Sequence, residues 1–427
     1  MTSLQVVPDL ADRYGVRRVD SGPVLVPKGR YLDDAYAALE EAYLWPQVWQ
    51  FACLARDVAE PGQWKEYRNG SQSIVIVRAD DGALRAFHNV CSHRGFRLCD
   101  GAGRGEVIRC GFHGWTYALD GRLQQVTSRK GFGTIDDADY GLRPVRVDHW
   151  GELVFVNPAA DGPSLAEFLD PVPAELAAFE LDRRNLSFSC TVPMPGNWKV
   201  TCDAFNEVYH LQGLHPQLMP FMDDVHTTYR VFDRGHSMMQ IPLGIASPRL
   251  GGRTDTEVIE GFFAAYSTML GPRDNAAIDL AERTARQWAI DRVRSLAATR
   301  GIDLAALADD QILDDFHYFL FPNVVLNVHA DMYTLFRARP GATPHESYFD
   351  FLLFHRSAPA REVGHIDYAP GERVNEVLDQ DLDGIRRVHA GLRSDGIQQL
   401  TFASFEQRLA AMHDELDRLL GMSVASR

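Results

Sequence analysis

The sequence predicts an α+β chain of two domains, a small all-β domain followed by a larger one that mixes antiparallel strands with helices. Three observations predict it. A chain of 427 residues exceeds what one hydrophobic core usually holds. From about residue 50 to 157, short β-branched runs are divided at regular intervals by Gly and Asp turns. From about residue 187 onward, helical periodicity alternates with strand-like runs.

Taken in order, residues 1–27 mix Pro, Gly and charge and read as an irregular arm. Residues 35–44 carry a helical stripe of Ala38, Leu39, Ala42 and Tyr43 that Pro46 ends. Strands are expected at 73–77, 84–90, 107–110, 116–119 and 153–156, with Asp80-Asp81-Gly82 and Asp120-Gly121 as turns. Residues 158–173 read as a connector. Strands at 190–192 and 239–241 precede a charged, largely helical stretch over 262–299, and three neighbouring strands follow at 324–328, 333–337 and 348–355. Helices close the chain at about 373–392 and 401–420; the last has Phe402, Phe405, Leu409, Met412, Leu416 and Leu419 at a packing spacing. The expected boundaries are an arm and helix over 1–48 packed with the second domain, a β domain over 49–157, and a catalytic domain over 158–427.

The composition is that of an ordinary soluble protein, 45% apolar and 24% charged. Forty-three basic against 58 acidic residues leave a net charge of −15, which argues against nucleic acid or an anionic membrane as partner. No stretch approaches a membrane span or a secretory leader, so a cytoplasmic protein is expected. Six cysteines, at 53, 91, 99, 110, 190 and 202, are sparse and are expected to be reduced, buried or metal-bound.

Chemistry concentrates in two places. The first is Cys91-Ser-His93-Arg-Gly95 and, after sixteen intervening residues, Cys110-Gly-Phe-His113-Gly114-Trp115. Two Gly-flanked turns offering two thiolates and two imidazoles can close on one metal centre from two sides. Zinc takes the same donor types, which keeps a zinc-stabilised small-molecule-binding module as the alternative, but its first pair is usually Cys-x₂₋₄-Cys. A [2Fe–2S] cluster with two Cys on one iron and two His on the other uses Cys-x-His and Cys-x₂-His. Cys99 falls outside both loops and reads as a buried thiol.

The second is the stretch from Asn197-Trp-Lys199 through Asp203, Glu207 and His210 to His215-Pro216. A helix from about Val200 would put Asp203, Glu207 and His210 on one face, with Gly213 and Pro216 letting His215 swing back. An O₂-activating mononuclear iron commonly takes two His and one carboxylate. Asp381 lies on the apolar stripe of the 373–392 helix, where a carboxylate is costly unless paired or metal-bound, and is the third ligand sought. Asp379 and Asp383 point away from that stripe.

The stretch Ala86-Phe-His-Asn-Val-Cys-Ser-His-Arg-Gly95 with Cys110-Gly-Phe-His-Gly-Trp115 resembles the Rieske signature of ring-hydroxylating oxygenase α subunits. It lacks the extra disulfide cysteines of respiratory Rieske proteins. Asn-Trp-Lys, an acidic residue, acidic-x-x-His and a second His resemble the iron motif of the same family, and Gln-Asp381-x₇-His389-Ala-Gly391-Leu its late ligand segment. The resemblance spans most of residues 30–395. Two departures stand out: Ala204 where the family usually has Asn, and Glu207 where ring dihydroxylases commonly have Asp. Glu occurs there in relatives that include monooxygenases of quaternary ammonium compounds.

The resemblance implies an all-β Rieske domain and a helix-grip catalytic domain, a curved antiparallel sheet wrapped by helices. It implies a [2Fe–2S] cluster on Cys91, His93, Cys110 and His113, and a non-haem Fe(II) on His210, His215 and Asp381. Electrons from NAD(P)H would arrive through a reductase, possibly with a ferredoxin. They would cross from His113 of the next subunit of a homotrimer, with or without a β subunit, through Glu207 to His210, braced remotely by Asp203. O₂ and a small-molecule substrate would meet at the iron. The pocket candidates Leu218, Met219, Phe221, Met222, Phe319, Phe321, Phe351 and Leu353 are all apolar. They favour mono- or cis-dihydroxylation of a hydrophobic, aromatic molecule, with monooxygenation or demethylation of a quaternary ammonium compound as the alternative.

Overall fold

The computed structural model describes residues 8–19, 22–273, 278–356, 359 and 361–422; the first seven residues of the expected arm lie outside them. The chain divides into two compact units, residues 38–170 and residues 1–37 together with 171–427. Both dividing points differ from the sequence-based ones, for a visible reason. Residues 40–44 form a π-helical turn tied to the β unit, where Glu41 accepts from the Ser71 amide at 3.2 Å and Gln50 Nε2 donates to the Trp45 carbonyl at 2.5 Å. The segment after residue 157 is held in the same unit by Trp49 Nε1, which donates to the Pro163 carbonyl at 3.0 Å, and by Arg146, which donates to the Asp161 carbonyl at 2.8 Å.

The first unit is a seven-stranded antiparallel sheet with a small three-stranded sheet. In chain order the strands are β1 (Gln50–Leu54), β2 (Gln63–Asn69), β3 (Gln72–Arg78), β4 (Leu84–His88), β5 (Ala102–Arg104), β6 (Ile108–Arg109), β7 (Thr116–Tyr117), β8 (Leu123–Gln125), β9 (Pro144–Trp150) and β10 (Leu153–Asn157). The large sheet runs β1-β10-β9-β4-β3-β2-β5. Alternation along β3 sends Ile74 and Ile76 to one core and Val75 and Val77 to another. The second of these cores contains Cys91, Cys110, Trp115 and Tyr117, so packing itself fixes both cysteine turns.

The second unit is built on an eight-stranded sheet. Its strands are β11 (Asn185–Met194), β12 (Thr228–Val231), β13 (Ser237–Ile241), β14 (Asp315–Leu320), β15 (Val324–Val328), β16 (Met332–Pro340), β17 (Ser347–His355) and β18 (Ile366–Asp367), in the order β12-β13-β14-β15-β16-β17-β11-β18. Helices α1 (Trp198–Ala204), α2 (Leu211–Leu214), α3 (Asp255–Leu270), α4 (Ala285–Thr299), α5 (Glu376–Leu392) and α6 (Gln407–Leu419) complete it. In place of the expected 262–299 helix, α3 ends at Leu270 and α4 begins at Ala285, capped by Thr284, whose side chain accepts from the Gln287 amide. None of the described helices is long and apolar enough to cross a membrane.

The described residues of the N-terminal arm after residue 21 pack into this unit. Val24–Pro27 pairs with Gln399–Phe402, the segment read as the start of the last helix. Arg30 is fully buried, donating to the Tyr14 carbonyl at 2.6 Å and forming a salt bridge with Asp417 of α6. Replacing Arg30 with Ala strands that carboxylate and is expected to destabilise the chain by about 3–5 kcal/mol in urea unfolding.

Candidate functional site

The two cysteine turns have the same backbone plan. The Cys91 amide donates to the Phe96 carbonyl at 2.8 Å and the Gly95 amide to the Cys91 carbonyl at 3.0 Å. In the second turn the Cys110 amide donates to the Trp115 carbonyl at 2.8 Å and the Gly114 amide to the Cys110 carbonyl at 3.0 Å. Each turn closes through a glycine at positive φ, +76° at Gly95 and +72° at Gly114, which a side chain would strain. The imidazoles of His93 and His113 come together with ring centroids 4.8 Å apart, and His93 stacks on Trp115. Tyr117 steadies the first turn, its hydroxyl 3.1 Å from Cys91 Sγ and accepting from the Ser92 amide at 3.1 Å. The Nδ1 atoms of both His93 and His113 are buried without a hydrogen-bond partner. An unsatisfied imidazole nitrogen in each turn, beside two buried thiols, fits an Fe–S cluster. Cys99 is held elsewhere, its amide donating to Asn89 Oδ1 at 2.9 Å, and burial pushes its thiol up to about 12.

In the other unit His210, His215 and Asp381 converge, with one ligand atom from each lying within 4.8 Å of the others. His215 Nε2 is 2.6 Å and His210 Nε2 3.7 Å from Asp381 Oδ1. The segment carrying the histidines is not the continuous helix expected. Helix α1 ends at Ala204, residues 205–210 are turn and bend, and α2 starts at Leu211. The break gives Glu207 a position that helical spacing could not. Its Oε2 accepts from the His210 amide at 3.0 Å and its Oε1 lies 2.6 Å from His210 Nδ1. Nε2 of that ring is left to face Asp381, and the carboxylate sets the tautomer. Burial opposes a charged His210, but the hydrogen bond from Glu207 and the charges of Glu207 and Asp381 outweigh it and raise its pKa.

His215 is oriented by a residue that the sequence reading missed. Its Nδ1 is 2.7 Å from Gln380 Oε1, which also accepts from Gln217 Nε2 at 2.7 Å. Gln380 directly precedes Asp381, so one turn of α5 supplies both a ligand and the brace for another. Gln380→Leu is expected to weaken iron binding by roughly 10–100-fold, read from iron content against chelator concentration. Asp203 does not join this network in the way expected. It accepts from Tyr31 Oη at 2.6 Å, with His413 Nε2 at 3.7 Å, and so ties the arm to α6. On α5 the buried stripe is Leu378, Asp381, Leu382, Ile385, His389 and Leu392, while Val388 is exposed.

The three converging groups open into a cavity of about 630 Å³. Four of the eight residues expected there line it: Leu218, Met222, Phe351 and Leu353. Met219, Phe221, Phe319 and Phe321 do not. Leu218 and Met222 sit one helical turn apart and point inward together, while Phe221 turns away to stack on Phe262 at 4.5 Å. Met219 is buried in the surrounding core. Phe319 pairs with Ser237, which Arg408 of α6 covers, and Phe321 packs by Gly235 beyond the strand end.

The cavity wall also corrects the expectation of an apolar pocket. Strand register carries two rows across the sheet. Met239, His317, Asn327, Thr334 and Leu353 face one another in succession, and Ile241 faces Asp315 beside His329 and Met332. All of these line the cavity. The signal was legible as polar residues two apart, Asp315-x-His317 and Asn327-x-His329, in otherwise apolar strands.

Two family models match the chain. The model of the Rieske [2Fe-2S] domain covers residues 48–136, and that of the ring hydroxylating alpha subunit (catalytic domain) covers residues 177–422, more than half of the chain. The chain belongs to the ring-hydroxylating alpha-subunit family. Its cofactors are those of the two domains, a Rieske [2Fe–2S] cluster and a mononuclear non-haem iron. It is 35% identical over 204 residues to the glycine betaine monooxygenase oxygenase subunit of Chromohalobacter salexigens, covering 47% of this chain and 45% of that protein. It is 30% identical over 226 residues to the carnitine monooxygenase oxygenase subunit of Escherichia coli, covering 52% and 59%. The chain thus spans about half the length of the curated relatives it matches. Its fold is that of a quaternary ammonium Rieske monooxygenase solved with L-carnitine (TM-score 0.63, 18% identity, 92% and 94% covered). Naphthalene 1,2-dioxygenase from Rhodococcus sp., solved with indole, is similar too (TM-score 0.63, 17% identity, 93% and 94% covered).

Proposed function

We propose that this chain is the terminal oxygenase component of a Rieske monooxygenase system that oxidises a small organic cation of the quaternary ammonium kind. In this reading Cys91, Cys110, His93 and His113 hold the cluster, and His210, His215 and Asp381 hold the iron. A reductase brings electrons from NAD(P)H, and the chain works as a homotrimer. When bound, the cluster delivers electrons and the iron activates O₂ for insertion into a substrate C–H bond. Glu207 holds His210 in the tautomer that presents Nε2 and provides the carboxylate through which the electron arrives. Gln380 keeps His215 aimed at the same point.

The observation that carries the reading is the character of the cavity beside His210, His215 and Asp381. Phe205, Tyr266, Phe336 and Phe351 line it with aromatic rings, a surrounding that suits a cation, and Asp315 offers a carboxyl group. The named relatives, oxygenase subunits for glycine betaine and carnitine, point the same way. An aromatic hydrocarbon would leave Asp315, Asn327 and Thr334 desolvated and unpaired, which disfavours the expectation of aromatic hydroxylation.

The test is reconstitution with a reductase and NADH. Oxygen uptake matched by aldehyde release from an organic cation is expected, from a brown protein with a rhombic EPR signal after dithionite. A cis-diol from naphthalene with no turnover of cations would overturn the substrate class. A colourless zinc protein would overturn the whole reading.

A further inference from the structure

Four polar atoms in the cavity wall have nothing to bond to. Asp315 Oδ1, Asn327 Oδ1, His329 Nδ1 and Thr334 Oγ1 are all buried and unpartnered. Asp315 stands on β14, Asn327 on β15 with His329 one residue past its end, and Thr334 on the adjacent β16, and all four residues line the cavity. Orphaned polar groups clustered on one wall of a cavity are expected to meet a ligand. Among the described residues lining the cavity there is no Lys or Arg, whereas Glu207, Asp315, Glu376 and Asp381 all contribute carboxyl groups. Burial lowers the pKa of both His317 and His329, the latter to about 4, so neither ring supplies a positive charge. Two buried arginines act on this wall without lining the cavity: Arg408, whose Nη1 is 3.4 Å from His317 Nδ1 and whose charge acts with Tyr229, Asp315 and Glu207, and Arg184, whose charge adds to burial in lowering His329.

We propose that the wall formed by Asp315, Asn327, His329 and Thr334 is the specificity site of the cavity, selecting a small organic cation that carries a hydrogen-bond donor and no carboxylate. The inference rests on the cavity being the substrate site of the proposed monooxygenase. Asp315 takes the cationic end, while Asn327 Oδ1 and Thr334 Oγ1 take an O–H or N–H group. A zwitterion such as a betaine brings a second negative charge beside Asp315 with no lining Lys or Arg to receive it, and is rejected by repulsion and desolvation.

A pH dependence follows. Burial, with Asp314 adding to it and Arg408 opposing it, pushes Asp315 up to about 7. The other groups facing Asp315 are His329 Nε2 at 3.7 Å, His317 on its own strand and Tyr266 from α3. A cation binds the ionised carboxylate, so its affinity rises between about pH 6 and pH 8 as Asp315 loses its proton.

The test uses the full chain with both metals bound, titrated calorimetrically with choline, glycine betaine and indole. Choline and glycine betaine share a trimethylammonium group and differ in bearing a hydroxyl or a carboxylate. Choline is expected to bind at least about tenfold more tightly. Asp315→Asn is expected to lower choline affinity by roughly tenfold, erase its pH dependence and collapse the choline-to-betaine ratio. Should that variant not fold, Asn327→Ala and Thr334→Val serve, each lowering choline affinity without changing charge. Glycine betaine binding as tightly as choline, or a ratio indifferent to all three substitutions, sinks this inference and leaves the monooxygenase reading standing. Binding of indole alone, or of none of the three, sinks both.

Discussion

Asp381→Ala is expected to abolish turnover and remove the mononuclear iron while the cluster's EPR signal survives. The carboxylate is the one anionic member of the candidate ligand set. It is buried on α5, its Oδ1 faces His215 Nε2 at 2.6 Å, and burial without an ionic partner is costly. Two imidazoles alone leave the ion short of the facial set that holds it. The separation of effects is what identifies the role. Iron analysis should fall while the visible bands of the cluster, in the other unit, remain. Loss of both together would mean that Asp381 serves folding rather than metal binding.

Glu207→Gln gives the opposite signature. A glutamine carbonyl still accepts from His210 Nδ1–H, so the tautomer and the iron survive. What is lost is the negative charge and the paired acceptance, now from the His210 ring at 2.6 Å and its amide at 3.0 Å. Full occupancy of both metals with turnover reduced by at least roughly tenfold is expected, measured as the rate of cluster reoxidation with substrate and O₂ present. Normal reoxidation in this variant would assign Glu207 to capping alone.

The sequence made the ligands legible because metal chemistry constrains residue types and spacing together. Cys91, His93, Cys110 and His113 could be found from local motif alone. Asp381 could be found because a carboxylate on an apolar stripe is anomalous. Glu207 and Asp203 were harder, since helical spacing suggested a shared face that the break after Ala204 removes. No strong breaker marks Phe205–Asn206, so tertiary packing decides that break. The pocket was least legible. Phe319 and Phe351 look alike in sequence, yet Ser237 and α6 cover one while the other faces open space. The polar wall is harder to see in the sequence because apolar residues surround it, although Asp315 and His317 alternate along β14.

The matched turns at Cys91 and Cys110 bear on how the protein is put together in the cell. Each is closed by its own backbone hydrogen bonds and a positive-φ glycine, and is seated in a core that includes Trp115 and Tyr117. None of those restraints is an iron–sulfur bond. Those restraints belong to the chain itself, so the two turns are expected to keep their shape before the cluster is inserted, checked by comparing the near-UV circular dichroism of the protein before and after cluster loading.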